Sequence, residues 1–192
     1  MLSAYKGKFD GVLIPIARWL AGLGFSPNSL TILGFVASGA AALFLSISAL
    51  GPALLSLVAA SILDVLDGAV ARASNSISDL GAYLDSLLDR YADALILLGL
   101  MVHLRGHYIL LTVVLVGTLL VSYARAKAEA LGVKGDVGLA ERAERLLVLM
   151  AATLLEWIGF KAFYPALVIL ALATHFTVLQ RAHYLYVSVG KK

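Results

Sequence analysis

The sequence predicts an all-α, polytopic membrane protein, with six transmembrane helices and an N-terminal amphipathic helix lying in the membrane interface. Three observations predict it. Apolar residues make up 61% of the 192 residues and mean hydropathy is +0.93. Charged residues make up 14%, against about a quarter in soluble domains. Six apolar runs approach the roughly 20 residues that a helix needs to cross a bilayer, and glycine- or proline-bearing breaks separate them.

In chain order, residues 4–24 interleave Tyr5, Phe9, Val12, Leu13, Ile16, Trp19 and Leu20 with Lys6, Lys8 and Arg18. That pattern predicts an amphipathic juxtamembrane helix within residues 1–25, and it lacks the charge, apolar core and cleavage-site order of a signal peptide. The spans are predicted at 29–49, 52–71, 79–103, 107–127, 143–159 and 163–183. Breaks fall at Ser26-Pro27-Asn28, Gly51-Pro52, Arg105-Gly106-His107, Gly132 to Gly138 and Gly159 to Phe163. No repeat or soluble segment remains, so residues 1–192 read as a single transmembrane domain.

Lys and Arg set the orientation. With an even number of spans, every basic residue except Arg90, Arg105 and Lys161 lies on the side of the two termini. Both termini are therefore expected in the cytoplasm. The chain has no cysteine, which excludes disulfides and thiol chemistry. Asn28, Asn75 and Gln180 are its only side-chain amides, a composition that suits hot environments.

Against this apolar background stand Asp64, Asp67, Gly68, Ala71 and Arg72, then Gly81, Asp85 and Asp89. An ionisable group at a bilayer centre costs roughly 2.5–3.5 kcal/mol on insertion scales, so the group needs a function. At 100° per residue Asp64, Asp67, Gly68 and Ala71 share one helical face, and Gly81, Asp85 and Asp89 form a stripe on the next helix. Four carboxylates so arranged suit two Mg²⁺ ions roughly 3.5–4 Å apart, the clamp used in phosphoryl displacement, with Mn²⁺ as the alternative. Arg72 suits a phosphate oxygen. The small residues leave room for a nucleotide, and Asp89 suits a general base. Paired acids in membrane helices also make cation transport sites, and on residue chemistry alone both readings stand. Both place the acids near the cytoplasmic face.

The full string, D-x2-D-G-x2-A-R-x8-G-x3-D-x3-D over residues 64–89, matches without departure the signature of the CDP-alcohol phosphotransferase family, which the chain resembles over nearly its whole length. At ordinary residue frequencies its chance occurrence at one start is on the order of 10⁻¹⁰. The resemblance implies transfer of a phosphatidyl-type group from a CDP-linked lipid to an alcohol, with release of CMP. It implies Asp64, Asp67, Asp85 and Asp89 as metal ligands, with Asp89 also the catalytic base. Gly68, Arg72 and Ser78 would touch the CDP moiety. Pro27, Asn28 and Thr31 resemble the family's Pro-Asn-x-x-Thr entrance to the first span, near the nucleotide; a helix cap at Asn28 or Ser29 is the plainer reading, and the two are compatible.

A second basic group concerns the acceptor. Ser122-Tyr-Ala-Arg125-Ala-Lys127-Ala-Glu129 and Glu141-Arg142-Ala-Glu144-Arg145 resemble strings of the family's inositol-phosphate branch. That implies an acceptor-phosphate pocket of Arg125, Lys127, Arg142, Arg145 and Arg181, in which Lys127 lacks the bidentate geometry of arginine. Their charge alone would also serve to anchor the cytoplasmic side, and glycerol phosphate or serine stay open as acceptors. The expected partners are the bilayer, the CDP-linked lipid (CDP-diacylglycerol, or CDP-archaeol given the thermophile composition), a phosphorylated polyol and, by resemblance, a second copy in a homodimer. No nucleic acid is expected.

Overall fold

A computed structural model describes residues 6–135 and 137–189. Among these the chain forms seven helices: α1 (Lys6–Gly22), α2 (Pro27–Ser46), α3 (Leu50–Ala73), α4 (Asp79–His103), α5 (Tyr108–Ala130), α6 (Arg142–Trp157) and α7 (Phe163–Val189). Local chemistry places their ends. Ser26 caps α2, its Oγ accepting from Ser29 N at 3.1 Å. The cap is thus two residues before Asn28 and three before Ser29, because Pro27 has the φ of a first helical residue and needs no N–H there. Likewise the α2–α3 break lies at Ile47–Ala49, where Ser48 has φ +61, and not at Gly51-Pro52. Both of those residues sit in the first turn of α3, which has no acceptor to offer proline's missing N–H.

Among the described residues, four helices are long and apolar enough to cross a membrane: α2, α3, α5 and α7. The expected six is therefore met by length and composition at four positions. α4 has 25 residues, but Asp85, Asp89, Arg90 and Asp93 interrupt its apolar run. α6 has 16 residues, about 24 Å at 1.5 Å per residue. Large apolar side chains point outward, among them Leu55 (72% exposed) and Ile109 (84%), as a multi-pass membrane protein requires.

The chain divides into two compact units, one ending at His103 and the other beginning at Leu104. In the first, α2 packs against both α3 and α4, and α1 packs on α3. Two glycines permit the close approach of α2. A Cβ at Gly99 would lie 2.3 Å from Ala42 O, and one at Gly34 would touch Leu63 Cβ at 3.5 Å. Ala17 of α1 is fully buried with Leu30, Ala69 and Val70, while Trp19 remains exposed. So α1 has one packed face from Leu13 onward; the expected placements of Tyr5, Lys6, Lys8, Phe9 and Val12 lie outside the described side chains.

In the second unit α7 packs against α5 and α6. Gly117 lets Thr174 in: a Cβ there would stand 2.3 Å from Thr174 Oγ1. His175 Nε2 lies 3.2 Å from Val113 O. The α6–α7 turn closes on Glu156, whose Oε2 accepts from Ala162 N (2.7 Å) and Phe163 N (3.0 Å). That carboxylate satisfies donors at the start of α7 that have no helical acceptor.

Candidate active site

α3 carries Asp64, Asp67, Gly68 and Arg72 in its last turns, and α4 carries Gly81, Asp85 and Asp89 in its first turns. Asp64, Asp67 and Asp85 each offer a carboxylate oxygen, all within 4.8 Å of one another. Asp89 follows Asp85 by one turn of α4. Asp67 is the most enclosed, 7% exposed, with Asp64 and Asp85 half-buried. Three anionic groups held this close in a poorly solvated place repel one another strongly. Their donors are all hard oxygens, which fits Mg²⁺ or another hard divalent ion.

α2 supplies the next layer. Thr31 Oγ1 lies 2.8 Å from Asp67 Oδ2 and 3.1 Å from Pro27 O, so its hydroxyl is aimed at the carboxylate cluster. Asn28, at the start of the same helix, meets α4: a Cβ on Gly81 would come within 3.2 Å of Asn28 Oδ1 and 3.0 Å of Ser78 Oγ. Ser78 Oγ accepts from Gly81 N at 3.1 Å, the pattern of an N-terminal helix cap. Gly81 is thus required where two polar side chains converge. Arg72 is exposed, and its Nη1 lies 3.4 Å from the place a Gly68 Cβ would occupy. Of the residues expected at the nucleotide (Pro27, Asn28, Thr31, Gly68, Arg72 and Ser78), Thr31 meets Asp67 and Pro27 O, Asn28 and Ser78 converge on Gly81, and Arg72 lies over Gly68.

The basic residues of the second unit separate into two kinds. Arg125 and Lys127 are exposed, with Arg125 Nε donating to Glu129 Oε1 at 2.9 Å. Arg142 is half-buried. Arg145 and Arg181 are 5% and 4% exposed and hold backbone. Arg145 Nη1 donates to Ala140 O at 2.9 Å. Arg181 donates from Nε to Val137 O (2.7 Å) and from Nη1 to Val121 O (2.6 Å), with Nη2 3.7 Å from Glu141 Oε1. Sequence reasoning offered these two arginines as acceptor-phosphate ligands or as anchoring charge, and missed that they fasten residues 137–141. Of the histidines, His103 Nδ1 is 2.9 Å from Ser48 Oγ, and His107 stacks obliquely on Tyr164.

Residues 25–179 match the family model for CDP-alcohol phosphatidyltransferases. The chain belongs to that family. It is 35% identical to the archaetidylinositol phosphate synthase of Pyrococcus horikoshii, over 95% of each chain. It is 38% identical to the enzyme of the same name from Methanothermobacter thermautotrophicus, over 97% of this chain and 94% of that one. Among solved structures it resembles the phosphatidylinositol phosphate synthase of Mycobacterium tuberculosis with CDP-DAG bound (TM-score 0.79, 34% identity, 91% of this chain and 94% of that one). The same mycobacterial enzyme in complex with manganese and citrate has the same score and identity, over 91% and 89% of the two chains. As a CDP-alcohol phosphatidyltransferase the chain is an enzyme of phospholipid biosynthesis, which sets aside the cation-transport reading of its acids.

Proposed function

We propose that this enzyme joins a CDP-linked lipid to inositol phosphate and releases CMP, with divalent metal held by Asp64, Asp67, Asp85 and Asp89. The observation that carries the reading is the convergence of three carboxylates with Thr31, Gly68 and Arg72. In the reaction a hydroxyl oxygen of the acceptor bonds to the lipid-side phosphorus, and the bond from that phosphorus to the cytidylate oxygen breaks. Asp89 takes the hydroxyl proton. Arg72 neutralises phosphate charge on the donor, and Gly68 leaves the space in which the nucleotide lies. Asn28, Ser78 and Pro27 frame the same space from α2 and α4. Two Mg²⁺ ions, with Mn²⁺ as the alternative, would supply polarisation of the phosphate oxygens and offset charge on the leaving CMP.

The acceptor's phosphate is assigned to Arg125, Lys127, Arg142, Arg145 and Arg181. Support comes from the two sequence strings and from the inositol-phosphate synthases among the relatives, one of which binds CDP-DAG. Composition and the archaeal relatives favour CDP-archaeol as donor over CDP-diacylglycerol. Homodimerisation, six spans with α4 and α6 included, α1 in the interface, and cytoplasmic termini and active site belong to the same reading. Charge asymmetry supports the orientation.

An acceptor screen with labelled CDP-lipid tests it. A free polyol leaves the pocket's cations without an anion, a mismatch that costs several kcal/mol in the transition state, so inositol phosphate should exceed free inositol by about 10³-fold in kcat/KM. Serine should stay near background. Faster turnover of serine or glycerol phosphate would leave the family standing and overturn the inositol-phosphate assignment.

A further inference from the structure

We infer that Thr177 is a positioning residue for the acceptor phosphate, acting through the backbone that leads into α6. Its side chain is fully buried on α7, and its Oγ1 accepts from two successive backbone amides, Leu139 N at 3.2 Å and Ala140 N at 3.0 Å. Threonine inside a helix ordinarily turns its hydroxyl back on the carbonyl one turn earlier. Thr174 does so, donating to Leu170 O at 2.8 Å. Thr177 instead spends its acceptor capacity on another segment. A methyl contact accompanies the hydrogen bonds: a Cβ on Gly138 would come within 2.3 Å of Thr177 Cγ2, and Gly138 has φ +142. That backbone conformation belongs to glycine, so the segment is shaped to the threonine on both counts.

What the threonine holds is the entry to α6. Glu141 is the residue at its N-cap position, and Arg142 and Arg145 stand in its first turn. Arg181, one turn after Thr177 on the same face of α7, takes Val137 O, while Arg145 takes Ala140 O. Residues 137–140 are therefore gripped at two carbonyls and two amides. Of the side chains involved, only Thr177 is uncharged and short, so it can fix the backbone without adding to the field that attracts an anion. Removing it frees the two amides and lets α6 begin elsewhere, which displaces Arg142 and Arg145 together. The inference rests on the acceptor-pocket reading of those arginines.

The test measures KM for inositol phosphate and for CDP-lipid, with kcat, in Thr177→Val, Thr177→Ser and Arg142→Ala, each purified in detergent with bound-lipid stability checked by thermal unfolding. Loss of a buried acceptor should raise the acceptor KM of Thr177→Val about ten-fold, with CDP-lipid KM within about two-fold of wild type. Thr177→Ser keeps Oγ and should stay close to wild type. Should the valine variant fail to fold, Gly138→Ala offers the same readout from the other side of the contact, and the same split is expected. An acceptor KM left unchanged in Thr177→Val or Gly138→Ala while Arg142→Ala raises it would overturn the inference alone. Were Arg142→Ala also without effect on acceptor KM, the pocket reading would fall and this inference with it.

Discussion

Thr31 Oγ1 stands 2.8 Å from Asp67 Oδ2, and both residues are buried, at 9% and 7% exposure. The contact ties α2 to the carboxylate cluster and fixes the direction of one oxygen of Asp67. Groups that orient a metal ligand from behind typically change metal affinity by about 10- to 100-fold when removed. Thr31→Val should therefore weaken Mn²⁺ binding by about that factor, measured by calorimetry or by electron paramagnetic resonance. Thr31→Ser should retain it. Equal Mn²⁺ affinity in the valine variant would show that Asp67 needs no such support.

The four aspartates should behave as a unit. Each Asp→Asn change at 64, 67, 85 or 89 removes a charged ligand from a shared cluster, so single losses should be large and double variants little worse than singles. Wild-type turnover, within a few fold, in any two of the four at saturating Mg²⁺ contradicts the metal assignment.

Donor and acceptor phosphates should separate in kinetics. Arg72 lies over Gly68 in the first unit, and Arg142 opens α6 in the second. A charge-assisted contact contributes about 1.5–3 kcal/mol, so Arg72→Ala should raise KM for CDP-lipid and Arg142→Ala that for inositol phosphate. Equal effects of both changes on both substrates would reduce the cations to background charge.

Arg181 should prove to be a stability residue as well. Truncation to alanine strands the half-buried carbonyl of Val137, at about 1–3 kcal/mol, and removes the added bond to Val121 O within α5. The expected result is a clear fall in Tm for Arg181→Ala, larger than for the exposed Lys127→Ala, in thermal unfolding of the purified protein. Matching Tm values would show that the arginine's hydrogen bonds are replaced by water.

Topology can be read with single cysteines, since the chain has none of its own. Ser76, Lys134 and Arg105 are exposed sites with ordinary backbone. Impermeant maleimide added to the cytoplasmic side should label Ser76→Cys and Lys134→Cys, and Arg105→Cys only from the opposite side. The reverse pattern would invert the charge-based orientation.

Much of this protein was legible along the chain. Apolar runs and the breaks between them marked every helix, with α4 predicted and found at 79–103, because run length and breakers such as Pro27, Gly106 and Gly159 are local properties. The spacing of Asp64 and Asp67, and of Asp85 and Asp89, likewise put each pair on one face of its own helix before any fold was known. What the sequence could not reveal is which distant groups complete those faces. That Thr31 turns to Asp67, that Asn28 and Ser78 meet over Gly81, and that Thr177 and Arg181 hold residues 137–141 depend on helices separated by tens of residues in the chain. A helix's periodicity says which side is buried but not against what. Close approach at Gly34, Gly99 and Gly117 chooses the neighbours, and only then does a threonine become a support for a carboxylate or a clamp on a loop.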